Sequence, residues 1–383
     1  MNPSARSLLA HLGLHGPTHR ADLAAATRLS KAAVSTLSRS LLEAGLIHEV
    51  ATARAPSGQG RPSVLLDLEP RFGFLAGVRL DEDPLTVVLT DLKGGVLTHE
   101  ARDLSARPDL DEVARTVGSS VAALMARAGV DPGRLLGVGI AVSGIVDASA
   151  GVVRHSAILG WNDVPLAAHV EARVGVPVLI ENDANAVATF EHLYGSARGS
   201  DDFALVTIGR GVGAAQFVAG RLQRGHDGGA GELAHCTVVP DGRLCACGKH
   251  GCVDTVAARG AILAAARERG LRAHDLSSLE ALAQGGDPDA LTLLRQAGAA
   301  LGLGVSHLIH LTDPGLVLIA GSQIQPGTVF TTAIRQAVER HVLPRKLPGL
   351  NLAFRSLEPI SWAQGAAALA THSLLTGRLA LPG

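Results

Sequence analysis

The sequence lacks any stretch suited to cross a membrane. Its longest uncharged runs, residues 296–312 and 314–334, are interrupted by Gly, His, Pro, Ser and Gln, whereas a membrane helix needs ~20 mainly apolar residues. The amino terminus also lacks the basic region, apolar segment and cleavage site of a secretory signal. We therefore expect a cytoplasmic protein with no membrane partner. Its 383 residues, 47% of them hydrophobic, are enough for two or three globular domains.

Cysteine is also scarce, yet three of the four cysteines lie close together. Cys245, Cys247 and Cys252 follow His235 within eighteen residues, and these are the ligand types of a closed tetrahedral Cys₃His zinc site. Reduced surface thiols without metal remain an alternative, and a disulfide is disfavoured in a cytosolic protein. Cys236 adjoins His235, but neighbouring side chains seldom point the same way. The spacing therefore predicts a structural Zn²⁺ bound by His235, Cys245, Cys247 and Cys252.

Glu232 precedes His235 by three residues, which places both side chains on one face of a helical turn. If one ring nitrogen of His235 binds zinc, the other can donate a hydrogen bond to a ligand hydroxyl. The alternative for Glu232 is a helix N-terminal carboxylate favoured by the helix dipole. The pattern favours a binding site that the metal orients.

Charge is distributed unevenly along the chain. Residues 1–65 carry seven Lys/Arg against three Asp/Glu, whereas the remainder carries 27 against 32. This asymmetry indicates a small basic module attached to a mildly acidic body. By itself it is a weak pointer to nucleic acid.

The basic module has the pattern of a winged helix-turn-helix. Helices are predicted over residues 5–14, 20–27 and 31–44, and two strands flank a Gly/Ser/Pro-containing tip at residues 55–62. The alternative is a small helical bundle whose polar residues are merely solvated. The third helix buries an apolar stripe and leaves polar residues outward near its beginning, where a recognition helix contacts DNA. The predicted DNA-binding residues are Ser30, Lys31, Ser35, Thr36, Arg39 and, at the wing tip, Arg61.

The body of the chain alternates apolar strands with helical stretches, one of which is predicted over residues 253–269, so its predicted class is α/β. Similar cues recur in the second half, which implies two lobes with a ligand-binding cleft. We expect a DNA-binding domain over residues 1–70, a first lobe over 71–190 joined by a C-terminal helix at 365–383, and a second lobe with the zinc knuckle over 191–364.

Four motifs together resemble the ROK family of repressors, open reading frames and sugar kinases. They are Gly-Glu-X-X-His with Cys-X-Cys-X₄-Cys, residues 181–186 (Glu-Asn-Asp-Ala-Asn-Ala), residues 140–147 and residues 208–213. The resemblance covers nearly the whole chain, and the DNA-binding arm is similar to the branch of sugar-pathway regulators. It implies a two-lobed actin/hexokinase-like body.

The resemblance also implies roles for individual residues. In the sugar kinases of this family an Asn-Asp pair holds the sugar and the Asp is the general base, which corresponds to Asn182 and Asp183. Further implied sugar contacts are Ser156, Glu232, His235 and Asp254. Asp254 departs from the usual Glu at its position, and its shorter side chain could reach a hydroxyl through water.

The phosphate loops argue against kinase activity. Family kinases open their first lobe with Asp-X-Gly-Gly-Thr, whereas the corresponding hairpin here, residues 79–85, contains Asp81, Glu82 and Asp83 and no glycine. Carboxylates there would repel phosphate without backbone donors to offset the repulsion. The second loop keeps Gly209, Gly211 and Gly213 but carries Arg210. Asp183 is then a vestigial base, and the chain is not an enzyme.

The sequence therefore predicts a transcriptional regulator of carbohydrate genes. Its expected partners are double-stranded operator DNA, a sugar or sugar-phosphate effector and a second copy of itself in a dimer or tetramer. An active ATP-dependent sugar kinase is the alternative. A regulator controlled by a protein partner is a third possibility.

Overall fold

The computed structural model of the chain describes residues 2–51, 64–81 and 84–379. The chain divides into two compact units, residues 1–199 with 362–383, and residues 200–361. Each unit contains a sheet with helices packed on it, so the predicted α/β class is confirmed. The arm predicted as a separate domain falls within the first unit. In the described ranges, no helix is long and apolar enough to cross a bilayer.

The amino-terminal arm is a helix-turn-helix followed by a hairpin. Its elements are α1 (Pro3–His15), β1 (Thr18–His19), α2 (Arg20–Thr27), α3 (Lys31–Glu43), β2 (Ile47–Ala51) and β3 (Val64–Leu68). β3 pairs antiparallel with both β1 and β2 to form a three-stranded sheet. α3 begins where the Ser30 hydroxyl accepts a hydrogen bond from the Ala33 amide, at 3.1 Å. The hairpin tip, including Arg61, lies outside the described residues.

The rest of the first unit is built on a five-stranded sheet in the order β11-β7-β4-β5-β6. β11, β7 and β4 run parallel, whereas β5 and β6 are antiparallel. A small antiparallel sheet, β10-β9-β8, follows β7. The elements are β4 (Phe74–Leu80), β5 (Leu85–Asp91), β6 (Val96–Arg102), α4 (Leu110–Ala128), β7 (Leu135–Val142), β8 (Ile145–Asp147), β9 (Val152–Ser156), β10 (Trp161–Val164), α5 (Leu166–Val174), β11 (Val178–Asn182) and α6 (Asp183–Leu193).

The second unit is built on a five-stranded sheet in the order β14-β13-β12-β15-β16. β12, β15 and β16 run parallel. β12 and β15 are buried along their whole length, as expected for inner parallel strands, whereas the edge strand β16 is only partly buried. The elements are β12 (Phe203–Ile208), β13 (Val212–Val218), β14 (Arg221–Leu222), α7 (Asp254–Ala257), α8 (Arg259–Glu268), α9 (Leu276–Gln284), α10 (Pro288–Thr312), β15 (Leu316–Gly321), α11 (Val329–His341) and β16 (Asn351–Ser356).

One predicted helix is broken in the structure. The apolar periodicity of residues 253–269 favours a continuous helix, but Ala258 is extended (φ −64°, ψ 143°) and separates α7 from α8. The amide of Arg259 donates to the carbonyl oxygen of Gly209 at 3.1 Å. This hydrogen bond to a distant loop replaces the intrahelical one, so the prediction of one helix was wrong.

The last helix, α12 (Pro359–Leu375), packs closely on the first sheet from Trp362 onward. A β-carbon on Gly77 would lie 2.0 Å from the carbonyl oxygen of Ala363, and one on Gly139 would lie 1.8 Å from that of Ala366. The glycines of β4 and β7 therefore let the helix backbone approach the strands. A side chain at either position would force the layers apart.

α12 and α6 also complete the core of the arm. Leu193 of α6 and Leu375 of α12 are buried in one cluster with Leu8 and Leu12 of α1. A β-carbon on Gly13 of α1 would meet the Leu375 side chain at 2.4 Å. The arm is thus packed on the body of the first unit rather than joined to it by a free linker.

Candidate metal centre and ligand-binding residues

The four predicted metal ligands converge in the second unit. One donor atom from each of His235, Cys245, Cys247 and Cys252 lies within 4.8 Å of the others. The Sγ atoms of Cys247 and Cys252 are 3.7 Å apart, and Cys245 Sγ lies 3.6 Å from His235 Nδ1. Cys236 is exposed and is not a member of this group. The cluster is able to hold a metal ion.

Backbone hydrogen bonds hold the ligand loop in this shape. The amide of Cys245 donates to the carbonyl oxygen of Lys249 at 2.8 Å, and the amide of Gly248 donates to that of Cys245 at 2.9 Å. Gly251 has φ +70°, and a β-carbon there would lie 1.6 Å from the carbonyl oxygen of Val239. Glycine is therefore required for the turn that brings Cys252 back to the other thiols.

The donor set fits a zinc ion. Burial and the neighbouring sulfurs raise the pKa of the Cys252 thiol to about 12. Three adjacent thiolates would repel one another, and a divalent cation is the partner that lets them carry negative charge together. Three sulfurs and one imidazole nitrogen are the ligands of closed tetrahedral zinc sites.

The two ring nitrogens of His235 face different partners. Nδ1 faces Cys245, whereas Nε2 lies 3.7 Å from Glu232 Oε2. Glu232 immediately precedes a 3₁₀ turn at Leu233–His235, so the two side chains are neighbours as the sequence predicted. Both side chains are partly exposed, at 44% for Glu232 and 34% for His235, so a ligand hydroxyl has access to the pair.

Asp254 contacts the glycine loop between β12 and β13. Its Oδ1 accepts a hydrogen bond from the amide of Val212 at 2.8 Å, and a β-carbon on Gly211 would lie 3.1 Å from the same oxygen. A carboxylate therefore already accepts a hydrogen bond from one of the backbone N–H groups that a phosphate-binding loop would use to bind phosphate. The family resemblance implied that Asp254 contacts a sugar, but it did not predict this hydrogen bond to the Val212 amide.

Asn182 and Asp183 lie at the amino terminus of α6, in the first unit. The Asn182 Oδ1 atom accepts from the amides of Ala184 (2.9 Å) and Asn185 (3.3 Å) and so caps the helix. Its Nδ2 donates to the carbonyl oxygen of Gly144 at 3.0 Å. These bonds fix the direction of the segment, and Asp183 follows at the first helical position.

The carboxyl group of Asp183 has an unusual environment. Burial, together with repulsion from Asp81, raises its pKa to about 6, although Arg79 and the hydrogen bond from the Ala184 amide oppose the shift. Arg79 is itself paired with Asp81, with Nη2 2.6 Å from Oδ2, and lies 5.1 Å from the ring centre of Trp362. Glu82 and Asp83 of the acidic hairpin lie outside the described residues.

Ser156 is fully buried, and its Oγ accepts a hydrogen bond from the Leu159 amide at 3.3 Å. Nearby Trp161 is also buried and donates from Nε1 to the carbonyl oxygen of Pro108 at 3.2 Å. In this structure both side chains support the packing of the β8–β10 region. Ser156 is thus the one fully buried residue among the implied sugar contacts.

The predicted DNA-binding residues that the structure describes share an exposed face of α3. Lys31, Ser35, Thr36 and Arg39 are exposed, whereas Val34, Ser38 and Leu41 are buried. Ser30 is also exposed and caps the helix. The row of outward polar groups follows from the helical period.

The chain is similar to proteins of one known family. Residues 75–373 match the ROK family. The chain is 28% identical over 371 residues to the xylose repressor of Bacillus subtilis (strain 168). The alignment covers 96% of this chain and 93% of the repressor.

Two solved structures extend the comparison. A ROK family transcriptional regulator, a homologue of the Escherichia coli MLC protein, is similar with a TM-score of 0.81 and 28% identity, covering 97% of this chain and 96% of that one. A ROK family glucokinase from Streptomyces griseus in complex with glucose and AMPPNP is similar with a TM-score of 0.67 and 28% identity, covering 78% of this chain and 99% of that one.

Proposed function

The chain belongs to the ROK family, and from this premise we propose that it is a DNA-binding transcriptional repressor of carbohydrate-metabolism genes that senses a sugar or sugar phosphate. The observation that carries the proposal is the exposed polar row of Lys31, Ser35, Thr36 and Arg39 on a winged helix-turn-helix that precedes a ROK body. The repressor relative spans nearly the whole chain, whereas the glucokinase matches 78% of it.

The arm has the parts needed to read DNA. The outer face of the amino-terminal half of α3 carries polar side chains and the small Ala32, so it can enter a major groove. Lys31 and Arg39 supply phosphate or base-edge contacts, and Ser35 and Thr36 supply short hydrogen-bonding groups. We place Arg61 at the tip of the wing as a further phosphate or minor-groove contact. A homodimer or tetramer would present two such helices to a palindromic operator.

The residues that we propose as sugar contacts form two sets, and each set lies within one unit. Asn182 and Asp183 supply an amide and a carboxyl in the first unit, and Glu232, His235 and Asp254 supply polar groups in the second. A Zn²⁺ ion on His235 Nδ1 and the three cysteines would fix the imidazole, so that Nε2 is directed to Glu232 and to a sugar hydroxyl. Zinc here is structural, because all four positions of a tetrahedral ion are filled by protein ligands.

Loss of kinase activity is supported by two carboxylates. Asp81 stands where the kinases of the family carry a glycine-rich phosphate loop, and Asp254 binds the Val212 amide of the second loop. Both would oppose a nucleotide phosphate. Asp183 is then a sugar-binding carboxyl rather than a catalytic base.

Helix α6 offers a direct route from effector to DNA arm. Asp183 begins the helix and Leu193 ends it in the core of the arm, ~16 Å apart along the helix axis. A sugar that binds at the first turn of α6 would displace a rigid helix whose other end packs against α1. The effector then shifts the population of arm orientations, provided that it binds the two states with different affinities.

Fluorescence anisotropy with the DNA upstream of the gene tests DNA binding, and a thermal-shift screen of sugars and sugar phosphates tests the sensor. Sequence-specific binding at ~0.15 M salt that a stabilising sugar alters is the expected result. Absence of specific binding would refute the repressor assignment. Sugar-dependent ADP release abolished by Asp183→Asn would favour the active kinase, and a failure of every sugar to shift the melting temperature would favour control by a protein partner.

A further inference from the structure

A cavity of about 600 Å³ lies on the second unit behind the ligand loop. Its walls come from residues 238–243, which connect His235 to Cys245, and from α7, α8 and α10. The volume is within the range of small-molecule sites. None of the implied sugar contacts is among the lining residues, although Asp254 directly precedes one of them, Thr255.

The lining combines a short apolar floor with a polar rim. Alanines 261, 265, 297 and 300 face the cavity, and their small side chains leave the space that larger residues would fill. Val238, Val239, Leu293 and Leu303 extend the apolar surface. Such a floor favours the apolar part of a small molecule.

The charged groups of the rim indicate which sign of charge a ligand would carry. Arg243 is paired with both carboxylate oxygens of Glu268, so its charge is locally neutralised. Arg269 instead donates from Nη2 to the neutral Oε1 of Gln296 at 3.3 Å. Glu268 interacts with both arginines, so Arg243 and Arg269 against this one carboxylate leave one net positive charge at the rim. A rim of this charge complements a monoanion.

From these features we infer that the cavity is a second small-molecule site, which binds a carboxylate with an apolar body. The carboxylate pairs with Arg269 and Gln296, and the apolar body lies on the alanine floor. Because residues 238–243 form one wall, the occupied site braces the loop that holds His235 and Cys245. The inference goes beyond the proposed repressor function and requires neither DNA nor sugar.

Naphthalene-2-acetate is a suitable probe, and its neutral analogue 2-naphthaleneethanol is the matched control ligand. Calorimetric titration of the full-length protein should show saturable binding of the acid that is about 10-fold tighter than binding of the alcohol. Arg269→Gln should remove this preference and leave alcohol binding unchanged. Arg267→Gln, which replaces an exposed arginine of α8 outside the lining, should change neither.

Filling the floor gives an independent test. Ala265→Phe should abolish binding of both probes while the far-ultraviolet circular dichroism stays that of wild type. Absence of saturable binding at millimolar probe, or equal effects of Arg267→Gln and Arg269→Gln, would overturn the inference. Tighter binding of 2-naphthyl phosphate than of the acid would overturn the monoanion assignment. Self-association that Ala265→Phe disrupts, without probe binding, would assign the surface to a second copy instead.

Discussion

Arg198 Nε donates a hydrogen bond to the carbonyl oxygen of Leu14 at 2.7 Å, and Nη2 donates to that of Gly13 at 3.3 Å. Both carbonyls belong to the last turn of α1, where no intrahelical amide is available. A cation at that end also interacts favourably with the helix dipole. A residue just beyond α6 therefore caps a helix of the amino-terminal arm.

Arg198→Ala should loosen the arm without unfolding the body. Because Arg198 is exposed, we expect a local loss of about 1 kcal/mol, typical of a solvent-accessible hydrogen bond. Amide hydrogen exchange in residues 3–16 should accelerate about 5-fold, while exchange in β4 and β7 stays unchanged. Arg115→Ala, an exposed arginine of α4, is the control. Uniform acceleration across the chain would mean that Arg198 supports the whole fold instead.

Asp183→Asn should stabilise the protein in a pH-dependent way. The pKa of Asp183 is raised to about 6, so the folded state favours the protonated form, and stability falls as pH rises from about 4 through 6. Asparagine stays neutral, and its amide oxygen can still accept from the Ala184 amide. We expect a gain of about 1–2 kcal/mol at pH 7.5 and almost none at pH 4 in urea titrations. An equal gain at both pH values would contradict burial of a charged carboxylate as the cause.

Cys247→Ser should release the metal, whereas Cys236→Ser should not. We expect about one zinc per wild-type chain by mass spectrometry, because Cys247 completes the four-ligand set and Cys236 lies outside it. A 100-fold loss of zinc affinity corresponds to about 2.7 kcal/mol of stability at saturating metal. Zinc-free wild-type protein, or equal loss in both variants, would contradict the assignment of the ligands.

Arg39→Ala should weaken operator binding while leaving effector binding intact. Loss of one phosphate contact reduces the slope of log K against log salt by about 0.9, and loss of a base contact costs ~1–3 kcal/mol and relaxes specificity at one position. Anisotropy titrations at several salt concentrations separate these outcomes. Effector-induced thermal shifts provide the control for folding, and their loss in Arg39→Ala would indicate misfolding rather than a missing DNA contact.

The features that could be predicted from the sequence are those set by residues close together in the chain. The zinc ligands could be read from spacing because three of them lie in one short loop, and α3 could be placed because Ser30 caps it and Val34 and Leu41 recur on its buried face. Its predicted end at residue 44 is within one residue of the observed one.

Features that depend on distant partners could not be predicted in this way. The break at Ala258 follows from a bond between Arg259 and Gly209, and the Asp254 carboxylate is held by Val212. Burial of Ser156 depends on the antiparallel pairing of β9 with β10, which places Trp161 opposite Ser156. Each requires knowledge of which remote backbone group lies opposite, and a single sequence carries no record of that pairing.

The closeness of α12 to Gly77 and Gly139 has a consequence for biosynthesis. The sheet of the first unit is encoded early in the chain, but the helix that covers its two central strands and supplies Leu375 to the arm is translated near the end. During translation the second unit can therefore fold before α12 has been synthesised, while the strands of the first unit still lack the helix that packs on them. A chain terminated before residue 359 would leave both the first sheet and the amino-terminal arm with exposed apolar surface, open to chaperones and proteases.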